Sequence, residues 1–313
     1  MLQLLLGGSG SGKTTLLYQR IRARAEKGEK SILLVPEQFT SSTEGRIYRE
    51  LGDALSGMVE SFSFTSLAEK ILSTEGGAAV QTLSDAGRAV LVRRALEELQ
   101  DNVHYYHRHR RSAAFCQMAA QTIDELKSAG LSGRQLAQLA GACGAESGKL
   151  SELALIFQGY ETLLARSGMD PSDRLELAGA RLEEALARHS LPEFLRDRAV
   201  FIDEFDTFNA PKKRLLGAML AALPSVTVAL CDDGAPLLPG DLSLFSGAKQ
   251  VAAQLRQLAR KNGAEVAVPQ LLRKDLRHRN APGLAAVAEL LETGSCTADA
   301  PAGEGRLFAA PSR

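Results

Sequence analysis

Two kinds of hydrophobic patterning alternate along the chain. Leu2-Gln3-Leu4-Leu5-Leu6, Ser31-Ile32-Leu33-Leu34-Val35, Ala199-Val200-Phe201-Ile202 and Ser225-Val226-Thr227-Val228-Ala229-Leu230 are short, nearly continuous apolar runs bounded by turn residues. Such runs predict strands buried on both faces, as in a parallel sheet. Met58-Val59-Glu60-Ser61-Phe62-Ser63, though more mixed, predicts a further strand. It leads into a helix from Phe64, with Thr65 or Ser66 as its cap. From about Ser84 to about Ser190 the strand signal vanishes, and apolar positions recur three and four apart, as in 89–96 and 153–160. Glycines at 130 and around 141–148 separate these helices. Asp170-Pro171 starts another, with aspartate as cap and proline in the first turn. The expected class is α/β: a parallel sheet flanked by helices from 1–84 and 191–313, with an all-helical insertion at 85–190.

Composition narrows this little. Hydrophobic residues make up 45% and charged residues 24%, ordinary for a globular protein. Tryptophan is absent and aromatics are 5%, so the core is expected to be mostly Leu, Ala and Val. Lys+Arg and Asp+Glu number 37 each, so a DNA site would have to be a local basic groove. Cys116, Cys143, Cys231 and Cys296 are far apart and form no C-x-x-C pair. Free buried thiols in a reducing compartment are expected, rather than disulfides or zinc. The opening apolar run is too short for a secretory signal, and no run approaches a membrane span. The expected location is the cytoplasm, with no membrane partner.

The candidate chemistry lies where the first strand ends. Gly7-Gly8-Ser9-Gly10-Ser11-Gly12-Lys13-Thr14 fits G-x-x-x-x-G-K-[ST], the phosphate-binding P-loop. Glycines let the backbone turn back and aim successive N–H groups inward, and the following helix presents its positive end. Lys13 is expected on the β- and γ-phosphates, the Thr14 hydroxyl on Mg²⁺, and Thr15 among the nucleotide contacts. A glycine-rich turn without a ligand is the competing reading; the flanking strand and helix favour the nucleotide. Downstream, the run 199–202 ends in Asp203-Glu204. A buried strand with an acid at its tip is what a Walker B strand requires, Asp203 serving the Mg²⁺ and Glu204 the attacking water. These features make the sheet a P-loop NTPase (RecA-like) one, with ATP and Mg²⁺ as cofactors.

The order of motifs resembles the first motor half of superfamily 1 DNA helicases, and most closely the AddB family of bacterial helicase–nuclease subunits. Leu34-Val35-Pro36-Glu37-Gln38-Phe39-Thr40 looks like motif Ia, which touches single-stranded DNA. The stretch from Phe62 to Leu72 looks like motif Ib. Phe201-Ile202-Asp203-Glu204-Phe205-Asp206-Thr207-Phe208 is similar to motif II. Leu272-Arg273-Lys274-Asp275-Leu276-Arg277 resembles motif IV, whose final arginine approaches the γ-phosphate. The resemblance implies an AddA-like helicase partner in a heterodimer, DNA as single strand and duplex end, and a role in double-strand-break repair and recombination. It places the family's nuclease and iron–sulfur cluster in a carboxyl-terminal part. The run 307–311 reads as a strand cut short, so the chain is expected to be an amino-terminal fragment. Departures from the pattern bear on mechanism. No glutamine-bearing Q motif precedes the loop, Asp206 stands where a glutamine is expected, and Asp232-Asp233-Gly234-Ala235 lacks the glutamine of motif III. Phosphate-holding parts are kept and coupling parts altered, which implies binding without efficient turnover.

Two readings stand beside this one, an active DNA-stimulated ATPase motor and a small-molecule P-loop kinase. The cluster His104-Tyr105-Tyr106-His107-Arg108-His109-Arg110-Arg111 reads as a solvated face or as a DNA-backbone contact, and poorly as a metal site. Helix capping explains Asp170 and Asp173 better than an acid pair.

Overall fold

The computed structural model describes residues 1–77, 81–99, 101–144 and 147–293. Cys296 and the run 307–311 lie outside the described residues. In chain order the strands are β1 (Leu2–Gly7), β2 (Ser31–Leu34), β3 (Val59–Phe62), β4 (Ala199–Ile202), β5 (Ser225–Cys231) and β6 (Gln270–Leu272). They form a six-stranded sheet in the order β3-β2-β4-β5-β1-β6, every adjacent pair parallel. This is a RecA-like α/β fold. All residues of β2 and β4 are buried, which is why they read as unbroken apolar runs.

The helices are α1 (Lys13–Ala25), α2 (Thr40–Leu51), α3 (Asp53–Ser56), α4 (Phe64–Glu75), α5 (Asp85–Glu98), α6 (Ala113–Ser128), α7 (Gly133–Ala140), α8 (Ser147–Ser167), α9 (Pro171–Ala187), α10 (Ala210–Ala222), α11 (Ser246–Lys261) and α12 (Pro282–Thr293). Since α4 starts at Phe64, Thr65 and Ser66 fall inside its first turn and are not its caps. The chain divides into two compact units. One holds the sheet and comprises Met1–Ser63, Phe194–Thr207 and the chain from Leu220; the other is Phe64–Glu193 with Phe208–Met219.

In the sheet unit, Leu5, Leu33, Val59, Phe201 and Ala229 form a core with Leu17 and Ile21 of α1 and Ile47 and Leu51 of α2. The helical unit has its own core, where Val92 and Leu96 meet Ala119, Ile123, Phe157 and Tyr160. Beside it, the Tyr160 hydroxyl donates to Asp170 at 2.6 Å, and Lys127 Nζ donates to Asp170 at 2.7 Å and Asp173 at 2.8 Å. Asp170 and Asp173 form a capping box at the start of α9, with Pro171 in its first turn. Of the cysteines, Cys116 is buried as expected. Cys143 and Cys231 are exposed, correcting the expectation of buried thiols: one lies in the turn after α7 and the other at the outer tip of β5. No helix among the described residues is long and apolar enough to cross a membrane.

Candidate functional site

The carboxyl ends of the parallel strands lie together, and backbone hydrogen bonds extend the ladders past the strand tips. Asp203 N–H donates to Leu34 O at 3.1 Å, and Asp232 N–H donates to Gly7 O at 3.2 Å. Open parallel sheets bind ligands at this edge. Here a cavity of about 440 Å³, within the range of small-molecule sites, is lined by Ser9, Gly10, Gly12, Lys13, Thr14, Thr15, Arg46, Asp203, Glu204, Asp206 and Arg277, among others.

The loop from β1 to α1 is shaped by its glycines. Gly10 and Gly12 have φ of 79° and 88°, and Gly12 is the N-cap of α1. A Cβ on Gly7 would sit 2.4 Å from Ser11 Oγ and 2.7 Å from the Leu272 carbonyl, so β6 can approach only a glycine there. Lys13 Nζ folds over the loop and donates to Gly7 O and Gly8 O, each at 2.8 Å. Its ammonium is thereby parked at the mouth of the cradle. Arg277 arrives from beyond β6: Leu276 N–H donates to Gly10 O at 3.0 Å, and Arg277 Nη1 donates to Ser9 Oγ at 3.1 Å.

Opposite the loop, Asp203 is buried and its side chain is hydrogen-bonded to Thr14. Burial pushes its carboxyl above the ordinary aspartate range, although the Thr14 and Glu204 hydrogen bonds and the charges of Lys13 and Arg46 pull the other way. Glu204 is pushed up too, first by burial and then by the Asp203 charge. Glu204 has φ of 63°, a left-handed conformation that costs a non-glycine residue roughly 1–3 kcal/mol and is concentrated at functional sites. Thr14 Oγ1 and the Asp203 carboxylate are hard oxygen ligands, and Mg²⁺ is commonly held by one or two such groups with water and phosphate completing the shell. The donor set therefore fits Mg²⁺ with a phosphate ester, and Lys13, Arg46 and Arg277 are the cations that can offset its charge.

Two residues at this cavity carried no role in the sequence reading. Arg46 projects from α2, its guanidinium 4.9 Å from the centre of the Tyr18 ring, and acts electrostatically on both Asp203 and Glu204. Burial pushes that tyrosine up to about 12. Cys231, at the tip of β5, also lines the cavity. Gly8, Ser11, Asp232 and Asp233 line a neighbouring cavity of about 550 Å³ instead, and Ser9 lines both. Asp233 is paired there with Lys249 at 3.3 Å. Of the stretch resembling motif Ia, Glu37, Gln38 and Phe39 are exposed; in the one resembling motif Ib, Ser63 and Phe64 are buried and Thr65 and Ser66 exposed.

The family described as "ADDB, N-terminal" matches residues 4–288. The chain belongs to this family. Among its relatives is an ATP-dependent helicase/deoxyribonuclease subunit from Desulforudis audaxviator, 34% identical over 296 residues, which cover 91% of this chain and 25% of that protein. The protein of the same name from Moorella thermoacetica is 33% identical over 299 residues, 91% of this chain and 25% of its own. That of Clostridium perfringens is 29% identical over 283 residues, 89% and 24%. This ADDB chain thus spans about a quarter of the length of these relatives.

Proposed function

We propose that the chain is the nucleotide- and DNA-binding amino-terminal part of an AddB-like helicase/deoxyribonuclease subunit, and that it binds ATP–Mg²⁺ without being the main motor. The observation that carries this is the meeting of Lys13, Thr14, Asp203 and Arg277 in one cavity at the strand tips. The loop amides and Lys13 would hold the phosphates, Thr14 and Asp203 would hold the cation, and Arg277 would add positive charge for the outer phosphate. When bound, Mg²⁺ neutralises phosphate charge. Retention over turnover is supported by Asp206, an acid facing the cavity where the related motors carry glutamine, and by Asp233, which is engaged by Lys249. The name that the relatives share is that of one subunit among several, which supports a partner chain. We take that partner to be AddA-like, in a heterodimer acting on DNA single strands and duplex ends in the cytoplasm, in double-strand-break repair and recombination.

One observation favours a second reading, an active ATPase: Glu204 lines the cavity in a strained conformation, as a residue that polarises water would. A thermal melt of this chain with Mg·ATP tests the core of the proposal. Ligand at 100 times its Kd adds about 2.7 kcal/mol of stability; no shift would overturn nucleotide binding. Phosphate release stimulated by single-stranded DNA and lost in Lys13→Ala would favour the motor.

A further inference from the structure

The loop between α5 and α6 carries His104, His107, Arg108, His109, Arg110 and Arg111, with no acidic residue from 102 to 111. Its conformation is set from below. Glu152 of α8, only 6% exposed, accepts from the backbone N–H groups of His104 at 2.7 Å, Tyr105 at 2.9 Å and Tyr106 at 3.2 Å. Val103 is buried in the helical core, and the Tyr106 and His109 rings pack on Phe115 at 5.3 and 5.7 Å. Ser112 then caps α6. A buried carboxylate is expected to be paired. This one is satisfied by amides of the basic loop itself, so its hydrogen bonds do not draw on the guanidiniums. Arg108 and Arg111 are exposed, Arg110 is half-buried, and none of the three makes an ion pair among the described residues.

We propose that this loop docks the phosphodiester backbone of DNA, with Arg108, Arg110 and Arg111 on phosphates and Glu152 as a positioning residue. The proposal rests on the DNA-binding half of the function proposed above and not on its nucleotide half. Guanidinium forks match phosphate oxygens, and a loop whose backbone is already held in place loses less entropy on binding. Tyr105, 57% exposed on the same loop, offers a ring face to an unstacked base. An acidic polypeptide would use the charges without the tyrosine, and DNA uses both.

The test is fluorescence anisotropy of a labelled single strand, and separately of a duplex, titrated with the full chain between about 50 and 200 mM salt. Replacing all three arginines by alanine should flatten the log–log salt slope by about 2 for the single strand and weaken binding about a hundredfold near 0.1 M salt. The duplex arm should lose slightly more slope, about 2.7. Glu152→Gln keeps every cation, so it should weaken binding several-fold with the slope unchanged. The control is Arg93→Ala with Arg94→Ala, whose guanidiniums already pair with Glu97 and Glu98. It should leave affinity and slope as they are. An unchanged slope in the triple variant, an equal loss in the control, or displacement of DNA by polyglutamate at equal charge would each overturn the proposal. A chain that binds no DNA overturns it as well, while the Mg·ATP melt reports on the nucleotide site independently.

Discussion

Replacing Asp203 by asparagine should change stability in opposite directions with and without Mg·ATP. Asp203 is 6% exposed, and burial outweighs the hydrogen bonds and cations that favour its charge. The folded pKa is therefore raised above the unfolded one. The sign follows from linkage: this group's contribution to stability is fully present below the ordinary aspartate value of about 3.9 and is lost as pH rises through the raised folded value. Above that raised value the folded chain carries an ionised group that burial disfavours, beside Glu204, whose carboxyl is raised partly by that charge. Asparagine keeps Oδ1 as acceptor for Glu204 N–H, 3.0 Å away in the parent, and removes the charge. The expected gain without ligand is about 1 kcal/mol, the scale seen when strained functional sites are relaxed.

Mg·ATP should invert the order. At 100 times its Kd the parent gains about 2.7 kcal/mol. The asparagine variant lacks the anionic cation ligand and gains little, so the parent ends ahead by roughly 1.7 kcal/mol, the difference between the two figures. For a unit of this size, 1 kcal/mol is about 2–4 °C in Tm, well resolved in a melt. The assay is four melts, parent and variant, each with EDTA and with Mg·ATP at pH 8. Repeating the EDTA pair as pH falls towards about 4 should shrink the variant's advantage. A variant less stable than its parent in EDTA at pH 8 would refute the account of burial. An undiminished Mg·ATP shift in the variant would refute the role assigned to Asp203.

Further substitutions test the packing. Gly10→Ala places a Cβ 2.7 Å from Arg277 Cβ and 3.1 Å from Asp275 Oδ1, at φ of 79°. It should cost more than the roughly 1–2 kcal/mol of left-handed strain and should abolish the Mg·ATP shift. Gly28→Ala has nearly the same φ of 78° but open space around it, so it should show the strain alone; equal costs by urea unfolding would show that Arg277 does not press on the loop. In the helical unit, Lys127→Met removes the cation from Asp170, whose side chain is 1% exposed, and should cost about 3–5 kcal/mol. Adding Asp170→Asn should recover part of that, and a single-variant loss under about 1 kcal/mol in denaturant melts would contradict a buried pair.

What the sequence disclosed follows from how far apart the cooperating residues lie. Strands β2, β4 and β5 were legible because a parallel strand buried on both faces writes its burial as a continuous apolar run. The loop chemistry was legible because eight adjacent residues carry it. β6 is not, since Gln270–Leu272 are three half-buried residues paired, among the described residues, with Leu5, Leu6 and Gly7, too short for any pattern. Yet β6 is what brings Arg277 to Ser9, so in the sequence alone only a resemblance points to the arginine's position. Arg46 shows the same limit: which way a helical arginine points is set by how α2 packs, and the α2 sequence reads the same with Arg46 towards the cavity or away from it. Asp170 shows the limit most sharply. Its capping role was readable because Pro171 and Asp173 lie within three residues, whereas Lys127 and Tyr160 reach it from 43 and 10 residues away. A residue explained locally as a cap is thus also the buried anchor of a charge network. Local sufficiency of an explanation gave no sign that a second, tertiary one was needed.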